Sequence, residues 1–201
     1  MGPVPLFQVD GYGRTEALGP GHIAGWNSIA HDPDVQRQLS LKTVSQEFLD
    51  AALLRRTSDW QAAVRDSSGE HKELVVLDGG GTVVAALELA FYSCDSGGQD
   101  FGVSVDIAVT PTMRNRGASN IQGLGLGAST LKGLASWVAA EVPGSHIFAD
   151  VCTDNLPSTA MMQRVGWHPV DQDGPCNLWA GGSHQCSRIA KRWCAHPSHQ
   201  V

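Results

Sequence analysis

The stretch Val105 to Leu134, VDIAVTPTMRNRGASNIQGLGLGASTLKGL, constrains this chain more than any other. It reads as a strand, a Gly-rich loop and a helix in succession. The strand is expected over Val103 to Val109, apolar or small at most positions. Pro111 closes it, because proline cannot donate to a ladder. The helix is expected to start near Gly127 and to carry Ala128, Leu131, Leu134, Ala135 and Val138 at helical spacing. Pro143-Gly144 stops it. Between strand and helix lies Gln122-Gly123-Leu124-Gly125-Leu126-Gly127, whose glycines let backbone approach a ligand closely. The free N–H groups of the helix start, together with the helix dipole, favour an anion, most often a phosphate. A Walker loop is excluded because no Lys follows, and Gly123-x-Gly125-x-Gly127 is misspaced for the G-x-G-x-x-G fingerprint of dinucleotide sites. On these residues alone, a plain Gly-rich linker stays open.

A second block lies downstream, HIFADVCTDNLPSTAMMQRVGW. It reads as a strand over Ile147 to Val151, then Asn155 and Ser158, then a helix from about Leu156 to Val165, then Gly166-Trp167. The first block, Q/R-x-x-G-x-G/A after a strand ending V-x-P, resembles the acyl-CoA-binding motif of the GCN5-related N-acetyltransferase (GNAT) superfamily. The second resembles the block that follows it there, Asn-x-x-Ala/Ser and a helix ending Gly-Phe. The resemblance spans Val103 to Trp167, about a third of the chain.

The resemblance implies an α+β (mixed α/β) domain whose central, mostly antiparallel twisted sheet is flanked by helices, with a splay between the fourth and fifth strands. It implies that acetyl-CoA or another acyl-CoA enters that splay as co-substrate. The pantetheine arm would run along Ile107, Ala108 and Val109, and the pyrophosphate would sit on Gln122, Gly123, Leu124, Gly125, Leu126, Gly127 and Ala128. Asn155, with Ser158, would lie beside the arm, and a backbone N–H near Val109 would be the oxyanion donor. Three departures stand out. Gln122 occupies a position often held by Arg and brings no charge. Thr112 to Ile121 form an insertion, from which Arg114 or Arg116 could reach back to phosphate or stay exposed. Met162 replaces the Tyr that in the family commonly protonates the departing thiolate.

Attack by an amine needs a base, and carboxylates or His are the usual ones. Glu88 and Asp106 are the candidates chosen here, with Asp150 and His168 as further ones. Each also has an ordinary reading as a solvent-facing structural residue. The implied reaction is N-acylation of a primary amine, the acceptor being expected as a small molecule. Two alternatives stay open: a transferase fed by an acyl-carrier protein, whose arm lacks the nucleotide, and a degenerate CoA-binding sensor.

The remainder of the chain sets bounds. With 201 residues and 42% hydrophobic content, one domain over 1–182 is expected, with 183–201 as a C-terminal tail in which partial disorder is open. With a net charge of −6, nothing points to a nucleic-acid backbone as partner, and none is expected. No apolar run is long enough for a membrane span, and the start carries neither a signal-peptide pattern nor a myristoylation pattern. Five scattered cysteines without an export signal suggest reduced thiols and a cytoplasmic location. A homodimer is compatible with all of this. Strands are expected at Pro3 to Val9, Glu73 to Leu77, Thr82 to Phe91 and Asn177 to Ala180, with turns at Asp78 to Gly81 and Asp95 to Gln99. The repeated glycines from Gly11 to Gly21 read as breaks, His22 to Leu39 as a helix interrupted at Asp32-Pro33, and Thr43 to Val64 as a capped amphipathic helix. His184, Cys186, Cys194, His196 and His199 match no finger spacing, so no metal is expected.

Overall fold

The computed structural model describes residues 4–38, 71–93, 101–114, 123–170 and 190–195. These form one mixed α+β unit on an eight-stranded sheet of order β1-β2-β3-β4-β5-β6-β8-β7. The strands are β1 (Gln8–Val9), β2 (Gly13–Ala17), β3 (His71–Asp78), β4 (Val83–Ser93), β5 (Phe101–Val109), β6 (His146–Cys152), β7 (His168–Val170) and β8 (Ala190–Cys194). The helices are α1 (Ile23–Ala30), α2 (Pro33–Gln38), α3 (Pro111–Arg114), α4 (Leu126–Glu141) and α5 (Leu156–Arg164), with a 3-10 turn at Pro20–His22. All neighbouring strands are antiparallel except β5 and β6. No helix among the described residues is long and apolar enough to cross a membrane.

Alternation along the strands sorts side chains onto two faces. One face buries Leu74, Leu87, Val103, Val105, Ile147 and Ala149 against α4 and α5. On α4 the contributors are Leu131, Leu134 and Val138, spaced for a single helical face. The other face packs Val75, Leu77 and Val83 against Ile29 of α1 and Val35 of α2, with Ala86 and Ala108 at its margin.

The β3–β4 hairpin turns where expected. Asp78 Oδ1 accepts the N–H groups of Gly80 and Thr82, each at 2.9 Å, and so closes the turn with its own side chain. The helix read as interrupted at Asp32-Pro33 is two helices. Asp32 Oδ1 accepts from the amides of Asp34 and Val35, both at 3.0 Å, and starts the second.

Three expectations are corrected. Gly13 opens a strand rather than a break: a Cβ there would lie 1.8 Å from the Leu77 carbonyl oxygen, so only glycine lets β2 lie so close to β3. The first strand is Gln8–Val9 rather than Pro3 to Val9. The segment after Gly182 shows no periodicity in sequence, yet Ala190–Cys194 inserts between β6 and β7 and buries Trp193 in the core. The expected pieces at Thr43 to Val64, Asp95 to Gln99 and Asn177 to Ala180 lie outside the described residues.

Candidate functional site

The site begins where two strands part company. β5 and β6 pair in parallel at Gly102↔His146, Val103↔Ile147 and Ser104↔Phe148, and there the register ends. β5 nevertheless continues to Val109 and β6 to Cys152. The gap beyond Ser104 is the splay expected between the fourth and fifth strands, which become the fifth and sixth once β2 is counted.

The groups that face the gap follow from the ladder. Thr110 donates to Val84 O at 3.0 Å, and the β4–β5 register is Ala86↔Ala108 and Glu88↔Asp106. In an antiparallel pair, hydrogen-bonded and non-bonded positions alternate. Ala108 and Asp106 therefore bond to β4, while Ile107 and Val109 turn their N–H and C=O groups toward β6. β6 has left at that height. Main-chain donors and acceptors at an internal edge of this kind need partners from elsewhere.

The Gly-rich loop sits directly above. Gly123 has φ of 68°, a conformation that favours glycine. Gly125 is the N-cap of α4, with no side-chain cap bond, while Leu126, Gly127 and Ala128 of the first turn are buried. A buried helix start without a side-chain cap leaves main-chain N–H groups for a ligand. A Cβ on Gly127 would lie 2.7 Å from Met161 Sδ of α5 and 3.7 Å from Val109 Cγ2. That glycine thus draws the start of α4, the end of β5 and α5 to one point. Gln122 and Arg116 lie outside the described residues. Asn155 is the N-cap of α5, its Oδ1 accepting from Ser158 N–H at 3.2 Å, so these two residues act together as a cap.

The titratable candidates separate clearly. Glu88 and Asp106 are directly opposite each other, and Glu73 is opposite Glu88 on the other side. Three carboxylates thus stand at one level on the sheet face that carries α1 and α2. Glu73 was not singled out in the sequence, because its spacing from Glu88 has meaning only in the register. Asp150 is engaged by Arg192, Nε to Oδ1 and Nη2 to Oδ2 both at 3.0 Å, and that guanidinium lies 4.3 Å from the centre of the Phe148 ring. Both carboxylate oxygens are held in a fork by that one guanidinium. His168 is on β7, separated from β6 by β8, roughly 10 Å from the splay's edge at two strand spacings. Neither residue is brought to the gap.

Arg114 is engaged at the end of β5 and at the α1–α2 corner. Its Nε donates to Val109 O at 2.8 Å, and its Nη1 to Asp32 Oδ1 at 2.7 Å. Burial alone would raise the Asp32 carboxyl. The hydrogen bond from Arg114, the amides of Val35 and Asp34 and the charge of Arg114 outweigh it, and the carboxyl titrates below its ordinary value. Tyr12, which no sequence signal marked, donates its hydroxyl to Leu124 O at 2.9 Å. Met162 is buried at 2% exposure within the core. No group of three or more metal-binding side chains occurs among the described residues, and of the tail's His and Cys only Cys194 lies within them.

No family model and no curated protein matches the chain in sequence. Solved structures do. The chain is similar to a GNAT-family acetyltransferase from Bacillus anthracis at 10% identity, covering 94% of this chain and 95% of that one, with a TM-score of 0.60. It is similar to spermidine N-acetyltransferase from Vibrio cholerae, solved with CoA and spermine, at 11% identity, 90% and 92% coverage and a TM-score of 0.62. It is also similar to the Salmonella typhimurium acetyltransferase that modifies the N-terminal serine of ribosomal protein L7/L12, at 13% identity, 94% and 97% coverage and a TM-score of 0.62. Likeness over nearly the whole length, with a parallel pair that opens beside an uncapped helix start, identifies the architecture: this chain has the fold of the GNAT acetyltransferases.

Proposed function

We propose that this protein is an N-acyltransferase of the GNAT superfamily that moves an acetyl or other acyl group from acyl-CoA to a primary amine. The observation that carries the reading is the β5–β6 splay with the buried, uncapped start of α4 above it. An extended arm bearing amides suits the open strand edge, and a pyrophosphate suits the helix start.

Bound acyl-CoA supplies an activated acyl group as a thioester, and the chain's own residues do the rest. The amides of Gly123 to Ala128 hold the diphosphate, with Tyr12 fixing the loop through Leu124. Ile107 and Ala108 line the arm, and Asn155 and Ser158 flank it from the start of α5. The Val109 N–H faces the acyl carbonyl as the oxyanion donor. Glu88 and Asp106 accept the amine's proton, directly or through water, on the α1/α2 face. The acceptor in this reading is a small-molecule amine. The thiol departs without a phenolic acid from α5, because Met162 is in the core.

The test is thiol release from acetyl-CoA with polyamines, aminoglycosides and amino-terminal peptides, alongside calorimetric titration of acetyl-CoA and of an acyl-carrier protein. Amine-dependent thiol release with acetyl-CoA is expected. Release only with the carrier protein would move the donor to that arm. Binding of acetyl-CoA without release from any amine would make the protein a sensor.

A further inference from the structure

We propose that Arg114 is a positioning residue for acyl transfer, which clamps the end of β5 so that Val109 presents a donor, and only a donor, to the splay. The inference rests on the acyl-CoA reading above and concerns a residue that touches no substrate in it.

The peptide between Val109 and Thr110 is held at both ends. Its N–H donates to Val84 O at 3.0 Å on the β4 side. Its carbonyl accepts from Arg114 Nε at 2.8 Å on the splay side. On the other side of Val109, Ala108 is fixed in the β4 ladder opposite Ala86. With both flanking peptides fixed, φ and ψ of Val109 have no freedom left, and the direction of its own N–H is set. Pro111 follows at the start of α3 and cannot extend the ladder. Nothing in the strand itself would hold this last peptide against β6, because β6 no longer pairs at that height.

The clamp also decides what the residue offers. Without Arg114, Val109 would show an acceptor and a donor side by side, and the acceptor would repel a developing oxyanion. The guanidinium consumes the carbonyl and leaves the N–H, while placing a fixed positive charge within hydrogen-bond distance of that carbonyl. Its second terminal nitrogen, Nη2, is buried with no partner among the described residues. Preorganised donors and charge at a developing oxyanion are the largest single contribution in many acyl transfers.

The clamp is itself anchored from the acceptor side. Asp32 Oδ1 takes Arg114 Nη1 at 2.7 Å and the amides of Asp34 and Val35 at 3.0 Å each. The α1–α2 corner, which packs on the face bearing Glu88 and Asp106, is therefore tied through one guanidinium to the donor end of β5. Displacement of that corner on binding an acceptor would be felt at Val109.

The experiment compares wild type with Arg114→Gln, Arg114→Lys and Asp32→Asn by acetyl-CoA calorimetry and by steady-state thiol release, using whichever amine of the panel above the wild type acylates. Complete loss of an oxyanion donor costs about 10²–10³ in rate, so a misaimed one in Arg114→Gln is expected to cost kcat at least about tenfold. The Kd for acetyl-CoA is expected to stay within about threefold, because the phosphate loop is untouched. Arg114→Lys is expected in between, since one ammonium cannot fork to both partners. Asp32→Asn should lower kcat about threefold at unchanged Kd, and it carries the test if Arg114→Gln does not fold. A wild type that transfers, with variants whose kcat stays within twofold or whose kcat falls while Kd rises in parallel, would overturn this proposal alone. No heat and no thiol from the wild type would overturn the acyl-CoA reading and this proposal with it.

Discussion

The hydroxyl of Tyr12 donates to the carbonyl of Leu124 at 2.9 Å, across 112 positions of sequence. Tyr12 stands in the β1–β2 turn and Leu124 in the loop that leads into α4. The same region packs further along the helix, where a Cβ on Gly133 would lie 2.7 Å from the Phe7 ring. The N-terminal hairpin thus supports the loop read here as the phosphate cradle.

Tyr12→Phe keeps the ring and removes the bond. The net worth of one such hydrogen bond is about 0.5–1.5 kcal/mol. A small loss of stability is expected in urea denaturation. The Kd for acetyl-CoA is expected to rise several-fold, because the loop then loses this tie to the N-terminal hairpin. Kd unchanged within error, measured by calorimetry, would show that the loop holds its shape without the phenol.

Gly125→Asp separates folding from binding more sharply. Gly125 has extended dihedrals, φ −73° and ψ 165°, which an N-cap residue needs, and an added Cβ meets nothing within 4 Å. Asp is among the best N-caps, and a carboxylate there also complements the helix dipole, together about 0.5–1 kcal/mol over glycine. The melting temperature should hold or rise slightly. The new carboxylate takes the amides that phosphate would use and repels it as well, so affinity for acetyl-CoA should fall at least tenfold. A stable variant that still binds acetyl-CoA like wild type would remove these amides from the site.

Much of this arrangement was legible because it is local. Val103 to Val109, Pro111, the three loop glycines and the helical spacing of Leu131, Leu134 and Val138 are all encoded within one short stretch. What escaped reading is non-local. Tyr12 meets Leu124, and Arg114 meets Asp32, through pairings that no periodicity announces. Glu73 joins Glu88 and Asp106 only through the register of three strands. β2 was hidden because Gly13 resembles a breaker, when the tight approach of Leu77 is what demands it. β8 is only Ala190–Cys194, too short to show alternation, and its place between β6 and β7 is set by Trp193 reaching the core.

The Asp32–Arg114 pair also predicts an acid limb. Asp32 titrates below its ordinary value in the folded protein, because the Arg114 bond, the two amides and the Arg114 charge outweigh the upward push of burial. A lowered folded pKa gives stability that is complete above the unfolded carboxylate value and is lost as pH falls through the folded one. The contribution should therefore be constant from about pH 7 down to about pH 5 and decline below about pH 4. Melting curves of wild type and Asp32→Asn should lie apart at neutral pH and converge toward pH 3. A constant difference across that range would mean that the pair does not titrate as described.

Met162 bears on how the thiol leaves. The resemblance in sequence aligns it with a Tyr common in GNAT enzymes, and it is buried at 2% exposure among the core side chains. A side chain there touches packing, and it has no proton to give. α5, Leu156–Arg164, contains no tyrosine, and the Tyr12 hydroxyl is engaged at Leu124 O. The energetics allow this, since a thiol of ordinary pKa near 8.5 is a tolerable leaving group at neutral pH, while a general acid typically adds about 10²–10⁴-fold. Water, or the hydroxyl of Ser158 or Thr159 at the start of α5, can supply the proton instead. Met162→Ala should cost about 2–5 kcal/mol of stability, as for other buried Met truncations. Its kcat, measured well below the lowered melting temperature, should fall less than about tenfold. Met162→Leu should restore most of the stability at unchanged kcat, because the volume is nearly kept. The idea would fail if Met162→Leu, fully folded, lost kcat by more than a hundredfold. It would fail equally if Phe at position 12 or 92 abolished kcat while leaving acetyl-CoA binding intact, since a phenol would then be giving the proton.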